Sequence, residues 1–587
     1  MIGNQQKAMI LGMVASQGIA RGPAFVCPCI EDNVIRRRTI SDDEISQEIS
    51  RFERALSEAE SEILNLQTEI RENLGDGDAA ILEAQSLFLY DQGLRDEIIS
   101  RCREEKINVE AAVSDVAANW DAAFGRIESP YFRDRAADLR DVTRRILDRL
   151  FDEKQRRDHG PSEPHIVVVR ELYPTILASL DKRQVLGLIA ETGGPTAHAV
   201  ILARSMGIPT LINVDSATTV IKRDDQVILD GFSGRVFINP SESLNLEYEK
   251  IVSNIEAHQQ SLREEVNLPA ITTDGVEIKL NVNVGKVADA TAAANVRADG
   301  IGLYRTEFVF LVQDHPPTEE EQLDLYRKTC DEMQLKEVVI RVLDMGSDKI
   351  LPYFPLSQES NPSLGHRGTR LMLRHPEILR PQLRAILRLS ATHPVSVLFP
   401  MIVDVEAIVE SKRIVKSVQA ELQAEGRPFN PEIRVGAMIE TPAAAILGKW
   451  IARESDFLSI GTNDLIQYFL TSDRTNTEMS SYYEPVHPAV IQILKSVIDA
   501  ANAENKEVSL CGEMAGNPAY TELLLGLGLR SLSVTPSELL ELKRVIRSLT
   551  MTRATERSKH ILQKTMVSEI KAILSENSPM MVTGDRE

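Results

Sequence analysis

The sequence predicts a multidomain α/β protein in which a strand-rich α/β unit is interrupted by a helical bundle and followed by a (β/α)8 barrel. Three observations support this prediction. Short strand-like runs stand on both sides of a long helical stretch, at about residues 8–29 and 164–240. The helical stretch, from about 41 to 155, repeats apolar side chains every three or four residues. After residue 274, strand-like and helical patterns alternate eight times, which is typical of a (β/α)8 barrel.

The α/β unit is predicted from strands on either side of the helical stretch. A helix is expected at 197–205, between two of these strands. We expect residues 1–40 and 151–240 to form one domain, with the bundle as an insertion. The expected strands are 8–14, 18–20, 23–27, 165–169, 185–190, 210–214, 226–230 and 235–238.

The helical bundle is predicted at 41–150. Ser41 and Glu44 have the spacing of a capping box, in which the two side chains satisfy free amides at a helix start. Gly75-Asp76-Gly77 and Ser129-Pro130 interrupt the helical pattern. The interruptions divide the stretch into helical hairpins, which pack as a small bundle.

The rest of the chain reads as a linker and a barrel. Residues 241–265 are polar and helical in pattern and suit a linker helix. The barrel is expected at 266–575, followed by a disordered tail at 576–587. Its strands are predicted at 278–285, 300–308, 338–346, 396–402, 433–440, 457–465, 508–513 and 531–536.

Polar side chains follow the predicted barrel strands, where the active sites of such barrels lie. The alternative is that strand ends are simply exposed, but the pattern recurs at five of the eight strands. The residues are Arg305, Glu307, Arg341, Asp344, Glu440, Asn463, Asp464, Cys511 and Glu513.

Composition excludes several classes of function. The net charge is −21, which repels nucleic acid and anionic membranes and attracts a basic protein. No apolar run is long enough to cross a membrane, and the N-terminus lacks the pattern of a signal peptide. Five cysteines, an odd number, predict a reducing, cytoplasmic setting, and Cys27-Pro28-Cys29 lacks the second pair of a zinc site.

The charged strand ends predict a metal site and an anionic substrate. Glu440 and Asp464 end neighbouring strands, and two carboxylates together with substrate phosphate suit Mg²⁺. Guanidinium groups grip phosphate and carboxylate in a bidentate manner, and four of them gather here: Arg305, Arg341, Arg367 and Arg474. Structural ion pairs with nearby carboxylates are an equally good explanation from spacing alone. Those carboxylates are Glu307, Asp344 and Asp473.

Two further residues are candidates for chemistry. His198 follows Gly193-Gly194 and precedes a predicted helix, so free amides and close backbone approach favour a phosphate there. A neutral imidazole can attack phosphorus, although a lone histidine is more often structural. Cys511 lies at a barrel strand end, where a buried, inert thiol is the alternative.

Seven motifs in one order resemble Enzyme I of the bacterial phosphotransferase system over nearly the whole chain. They lie at 193–208 (GGPTAHAVILARSMGI), 299–308 (DGIGLYRTEF), 341–353 (RVLDMGSDKILPY), 361–370 (NPSLGHRGTR), 436–445 (GAMIETPAAA), 459–468 (SIGTNDLIQY) and 511–516 (CGEMAG).

The resemblance implies a phosphoenolpyruvate-dependent phosphotransferase. His198 would take the phosphoryl group and pass it to a histidine of the carrier protein HPr, with pyruvate as the other product. Cys511 would protonate the enolate, and Glu440 and Asp464 would bind Mg²⁺. The residues that would hold substrate are Arg305, Arg341, Asn463, Asp464, Arg474, Lys349 and Arg367.

The resemblance also assigns roles to the domains. Residues 41–150 would dock the carrier, 1–40 and 151–240 would be a swivelling phosphohistidine domain, and the barrel would form a homodimer. Because His198 and the barrel belong to different domains, a large motion about the 241–265 linker is expected.

The chain departs from the family pattern near these sites. Proline and alanine replace the usual arginine and serine beside the histidine, at Pro195 and Ala197. Tyr173 stands where the family has threonine, His366 where it has tryptophan, and Gln85 where the bundle often has histidine. None of these changes removes a core barrel residue, and the resemblance therefore implies neither the rate of transfer nor the choice of carrier.

Three other functions are alternatives. Pyruvate phosphate dikinase and phosphoenolpyruvate synthase need an additional ATP-binding domain, for which the chain has no room and no phosphate-binding loop motif. A nitrogen-type regulatory phosphorelay enzyme usually carries an N-terminal sensory domain. An inactive scaffold would not need the retained charged residues.

Overall fold

The computed structural model of the chain describes residues 9–576 except 28–34, 75–87, 90, 126–129, 152–162, 174–175, 178–183, 195–197, 312–314, 347–352, 355–358, 475, 477–478 and 480. The described chain forms two compact units, which meet in sequence between Ile255 and Glu256. The expected tail beyond Glu576 lies outside the described residues.

The first unit contains an eight-stranded sheet in the order β1-β8-β7-β3-β4-β5-β6-β2. Parallel pairing of β3 with β4 joins the segment before the bundle to the segment after it, which confirms that both belong to one sheet. The strands are β1 (Met9–Leu11), β2 (Met13–Ser16), β3 (Ile19–Val26), β4 (His165–Glu171), β5 (Val185–Thr192), β6 (Thr210–Ile212), β7 (Gln226–Asp230) and β8 (Arg235–Ile238).

A helical bundle is inserted between β3 and β4, as expected. Its helices are α1 (Asp42–Leu74), α2 (Gln92–Glu105), α3 (Val109–Gly125) and α4 (Pro130–Leu150). At the start of α1 the Glu44 carboxylate accepts the backbone amide of Ser41 at 2.8 Å, as the capping-box pattern predicts. Apolar side chains of the bundle share one buried cluster with those of β4 and β5, so the insertion packs as part of this unit.

Three helices follow in the first part of the chain: α5 (His198–Ser205), α6 (Ala217–Val220) and α7 (Glu242–Glu264). The long helix α7 covers almost the whole predicted linker and continues across the division between the two units. Its buried Tyr248 donates a hydrogen bond to Asp230 of β7 at 2.8 Å, which fixes the first half of the helix on the sheet.

The second unit is a closed barrel of eight parallel strands, β9 to β16, in which β16 pairs with β9. The strands are β9 (Lys279–Val284), β10 (Ile301–Arg305), β11 (Val338–Arg341), β12 (Val395–Phe399), β13 (Val435–Ile439), β14 (Phe457–Ile460), β15 (Glu507–Leu510) and β16 (Ser531–Val534). Helices surround it: α8 (Val287–Asn295), α9 (Glu307–Leu311), α10 (Glu319–Glu332), α11 (Thr369–Arg374), α12 (Pro376–Leu389), α13 (Val405–Ala424), α14 (Pro442–Ile446), α15 (Gly448–Glu454), α16 (Thr462–Leu470), α17 (Pro488–Ala503), α18 (Pro518–Leu527), α19 (Leu539–Ser548), α20 (Met551–Ile561) and α21 (Val567–Ser575).

Several barrel strands are shorter than their sequence pattern indicates. The strand expected at 457–465 ends at Ile460, and Asn463 and Asp464 lie in the first turn of α16. Likewise β10 ends at Arg305 and Glu307 begins α9. The apolar residues after each strand lie on the buried face of the helix that follows it. A short apolar run in the sequence does not distinguish a buried strand from a buried helical segment.

A ring of four charges closes the amino-terminal end of the barrel. Lys279 contacts Glu337 at 2.9 Å and Glu507 at 3.4 Å, and Arg434 contacts the same two carboxylates, each at 2.9 Å. The four residues come from alternate strands, or directly precede them, and Phe457 lies below the Arg434 guanidinium at 4.9 Å. The opposite end of the barrel is open and contains the candidate site.

Candidate active site

A cavity of about 210 Å³ lies at the carboxyl ends of the barrel strands. The geometry of a parallel barrel brings these ends together even where they are far apart in sequence. The side chains predicted from the sequence that line this cavity are Arg305, Arg341, Arg367, Glu440, Asn463, Asp464, Arg474 and Cys511.

Arg341, the last residue of β11, is held by two carboxylates. Its Nη2 donates to Glu307 at 2.5 Å, and its Nη1 lies 3.3 Å from Asp344. Burial lowers the pKa of Arg341, but the charges of Glu307 and Asp344 outweigh burial and raise it. Its Nε is buried with no hydrogen-bond partner among the described residues.

Arg367 lies in the loop before α11 and contacts both sides of the cavity. It donates to the two oxygens of Asp344 at 2.9 and 3.4 Å and lies 3.6 Å from Asp464. It also donates to the hydroxyl of Tyr468 at 3.2 Å. Gly368 follows at φ +55°, where a side chain would meet Asp344 at 3.0 Å. The ion pairs that the sequence left open are therefore present for Glu307 and Asp344, within a cavity that four arginines line.

The other polar residues form a more exposed rim. Asn463 exchanges two hydrogen bonds with Glu513, at 3.0 Å from its amide nitrogen and 2.8 Å to its oxygen. Arg474 lies 3.9 Å from Glu513, and Arg305 stands exposed at the end of β10. In this arrangement the Asn463 amide is engaged with Glu513, so a ligand would have to compete for it.

Glu440 lines the cavity directly after β13, and Asp464 lines it from the first turn of α16, which follows the neighbouring strand β14. Glu440 is buried and accepts the Met401 amide at 2.6 Å. Burial and the neighbouring charges of Asp344 and Asp464 raise the pKa of Glu440 to about 8. A divalent cation would relieve this crowding of carboxylates, so the donor set fits a hard metal ion such as Mg²⁺.

Within the part of the chain that the structure describes, no group of three or more His, Cys, Asp or Glu side chains is arranged to hold a metal ion. A set of two carboxylates is compatible with Mg²⁺, because this ion keeps waters and takes oxygens from a bound phosphate. Substrate would thus complete the coordination that the protein begins.

Cys511 forms part of the cavity floor, directly after β15. The side chain is only 1% exposed, and burial raises the pKa of the thiol to about 11. A thiol in this state keeps its proton at neutral pH, so it can serve as an acid and is a poor nucleophile.

Sequence reasoning missed Gln382, which is fully buried on α12. Its amide nitrogen donates to Thr306 at 3.0 Å and to Tyr326 at 3.1 Å, and its oxygen accepts the Leu343 amide at 3.0 Å. Thr306 and Leu343 belong to the segments that carry Arg305 and Arg341. The only sequence signal was a glutamine on the apolar face of an amphipathic helix.

The histidine segment is described in part. His198 begins α5, directly after the stretch that contains Pro195 and Ala197; these two residues, together with Lys349 and Gln85, lie outside the described residues. The structure describes the other two residues that differ from the family pattern. Tyr173 donates to Glu171 at 2.7 Å, and His366 lies 3.2 Å from Glu359.

A second cavity, of about 230 Å³, lies between the bundle and the sheet beside Tyr173. The Arg144 guanidinium covers the Tyr173 ring at 5.5 Å, and Arg140 pairs with Glu171 at 3.0 Å. Burial and the adjacent Glu171 carboxylate raise the pKa of Tyr173, so its hydroxyl keeps its proton. Glu171, which lines this cavity, pairs with Thr192 at the end of β5.

No helix in the described ranges is both long enough and apolar enough to span a membrane.

Three family models match successive parts of the chain. They are described as the N-terminal, mobile and PEP-binding domains of PEP-utilising enzymes, and they match residues 11–135, 161–234 and 259–551.

Curated relatives match nearly end to end. A phosphoenolpyruvate-protein phosphotransferase of Haemophilus influenzae is 38% identical over 97% of this chain and 99% of its own length. One of Staphylococcus carnosus is 36% identical over 97% and 98%. Among solved structures, an Enzyme I (nEIt) structure is 29% identical and covers 42% of this chain and 99% of its own, with a TM-score of 0.35.

Proposed function

The chain belongs to the family of phosphoenolpyruvate-protein phosphotransferases, and from this premise we propose how its residues divide the reaction. His198 accepts the phosphoryl group of phosphoenolpyruvate, and the barrel cavity binds and cleaves the substrate. The supporting observation is the convergence of four arginines, two metal-competent carboxylates and a protonated thiol on one cavity.

Phosphoryl transfer requires positioning and neutralisation of charge more than covalent assistance from the protein. Arg305, Arg341, Arg367 and Arg474, with Asn463 and Lys349, bind the phosphate and carboxylate groups. A nitrogen of the His198 imidazole forms a bond to phosphorus while the bond from phosphorus to the enol oxygen breaks. The imidazole proton is released to solvent, and the enolate of pyruvate remains in the cavity.

The enolate is converted to pyruvate by Cys511. The electron pair of the enolate double bond takes the thiol proton at the methylene carbon, and the enolate oxygen becomes the ketone oxygen. The raised pKa of Cys511 supports this role, because the group must hold a proton until the enolate forms. Ketonisation makes the overall transfer favourable.

The family depends on a divalent metal ion, which we propose is Mg²⁺ held by Glu440 and Asp464. When bound, the ion neutralises negative charge on the phosphate oxygens. Glu440 would hold the ion as a carboxylate, and the ion would favour the ionised form of a group whose pKa is raised by burial and by its neighbours.

The acceptor of the phosphoryl group is proposed to be a histidine of HPr or of an HPr-like carrier, docked on the bundle at 41–150 in the first step of sugar uptake.

A homodimer through the barrel is part of the proposal. The adjacent helices α14 and α15 expose Ile446 and Trp450, which are 67% and 52% exposed, and such apolar surface favours association. A cytoplasmic location agrees with the free thiols of Cys27, Cys102, Cys330 and Cys511.

The proposal is tested with phosphoenolpyruvate labelled with ³²P. Wild-type protein should acquire label that is lost in acid and kept in base, as expected of phosphohistidine, with pyruvate released in equal amount. His198→Ala should acquire none, whereas His560→Ala, which changes an exposed histidine of α20, should label normally. Removing metal with EDTA should abolish labelling, and added Mg²⁺ should restore it. Label that persists in His198→Ala would refute the assignment.

A further inference from the structure

A short chain of hydroxyl groups inside the barrel ends on the sulfur of Cys511. Ser509 donates to the hydroxyl oxygen of Ser459 at 3.3 Å, and Ser459 donates to Cys511 Sγ at 3.3 Å. The thiol of Cys511 in turn donates to the Ile460 carbonyl at 3.4 Å. The sulfur therefore has one partner that holds its proton and another that binds its lone pair.

The strand register places these groups together. Ser459 of β14 is directly opposite Ser509 of β15, and Cys511 lies two residues further along, on the same face of the strand. Ser459 is fully buried, and Cys511 packs in a cluster of apolar side chains that includes Met438 and Phe457. Burying a hydroxyl in such surroundings costs free energy unless the hydroxyl is hydrogen-bonded, and the Ser459 hydroxyl donates its hydrogen bond to the sulfur.

We propose that Ser459 is a positioning residue for Cys511: its hydroxyl fixes the sulfur at the cavity floor and stabilises the thiolate left after proton transfer. This inference rests on the proposed function, specifically on Cys511 as the proton donor to the enolate. Ser509 acts behind Ser459, because its own hydrogen bond polarises the Ser459 hydroxyl toward the sulfur.

The proton balance gives Ser459 its role. When the S–H bond breaks, its proton goes to the methylene carbon and its electron pair stays on sulfur, so a negative charge appears beside the apolar side chains that pack on the sulfur. A hydrogen bond to an ionised acceptor is roughly twice as strong as one to a neutral acceptor. The Ser459 hydroxyl thus stabilises the product of proton transfer more than its reactant, and water restores the thiol proton after pyruvate leaves.

Burial opposes the same step, since it raises the pKa of Cys511 to about 11, while the hydrogen bond from Ser459 lowers it. Within the described chain, the charged groups that act on the sulfur are Glu440, Arg305 and Arg341, and all of them belong to the substrate cavity. Ser459 is a neutral, buried donor to the same sulfur.

The test uses (Z)-phosphoenolbutyrate, a substrate with a methyl group on the carbon that is protonated. The reaction is run in D₂O with ³²P-labelled substrate, and the 2-oxobutyrate is reduced at once so that its deuterated carbon cannot exchange. Wild type should give one configuration at that carbon. Cys511→Ala should still label His198 but release the enol, which takes deuterium from solvent on both faces.

Ser459→Ala should label His198 at a rate within about twofold of wild type, yet give a mixture of configurations and about tenfold slower Cys511-dependent ketonisation. Ser509→Ala should show the same change, but smaller. Ser531→Ala is the matched control, because Ser531 is a buried barrel serine that instead accepts from Asn281 at 3.3 Å, and it should behave as wild type.

Unchanged configuration and rate in Ser459→Ala would overturn the role of Ser459 while leaving the proposed function intact. A single configuration from Cys511→Ala would instead refute Cys511 as the donor and this inference with it. Absence of label on the wild-type protein would refute the proposed function itself.

Discussion

Replacing Gln382 with leucine should disorganise the substrate cavity without touching any residue in it. The fully buried side chain joins Thr306 to Leu343, and these residues neighbour Arg305 and Arg341 in sequence. Leucine has a similar volume and restores no hydrogen bond, so the substitution removes the tie without opening a large cavity.

The cost follows from the bonds that are lost. The buried Leu343 amide loses its acceptor, which costs about 1–3 kcal/mol. The hydroxyls of Thr306 and Tyr326 each lose the hydrogen bond that they accept from Gln382. Each loss costs less, because Thr306 still donates to the Arg341 backbone carbonyl at 2.9 Å and Tyr326 to the Gln322 side-chain oxygen at 3.0 Å. A total of about 3 kcal/mol corresponds to a drop of about 4 °C in Tm for a unit of this size.

Calorimetry measures the Tm, and labelling of His198 by phosphoenolpyruvate measures kcat/KM. We expect kcat/KM to fall by about 10- to 100-fold, because a misplacement of about 1 Å in a reacting group can cost that much. The matched control is Gln322→Leu: the Gln322 side chain is equally buried, donates to Pro317 and accepts from Tyr326, but bonds neither Thr306 nor Leu343. If both variants lose Tm equally and Gln382→Leu keeps a normal kcat/KM, the idea that Gln382 positions the substrate cavity is refuted.

Three further outcomes are expected. Burial favours a higher pKa for Glu507, but the hydrogen bond from Arg434 outweighs burial and lowers the pKa. The ionised carboxylate therefore stabilises the fold at pH values above its ordinary pKa, and this stabilisation is lost as the pH falls. Glu507→Gln should therefore lower Tm by about 2 °C at pH 7 and by progressively less as the pH falls below 4.5, the ordinary value for glutamate; a difference that keeps its full size in acid would contradict this. Tyr248→Phe should destabilise the first unit by about 1.5 kcal/mol in calorimetry, because it removes the bond to the Asp230 carboxylate, and an unchanged transition would show that bond to be dispensable. Finally, burial raises the pKa of Cys511 to about 11, so at pH 8 only a small fraction of this thiol is ionised. Mass spectrometry should therefore show that iodoacetamide alkylates Cys511 at least about 300-fold more slowly than an exposed thiol. Rapid modification would rule out a protonated, buried thiol.

The main features of the candidate site were predictable from the sequence because they depend on local order. Each barrel strand is an apolar run, and the charged residues that follow it reach the same mouth once the barrel closes. Arg341 and Glu440 could therefore be assigned to that mouth from the sequence alone. The ends of the strands could not, since Leu465 is apolar whether it continues β14 or begins the buried face of α16.

The sequence by itself determined the order of the elements, the insertion of the bundle and the set of residues at the barrel mouth. Only the tertiary structure decided which side chains meet: Lys279 with Glu507, Gln382 with Leu343, and Ser459 with Cys511. These partners are 228, 39 and 52 residues apart. The physical reason is that periodicity reveals the buried face of an element, whereas the partner on that face depends on strand register and on how the helices pack around the barrel.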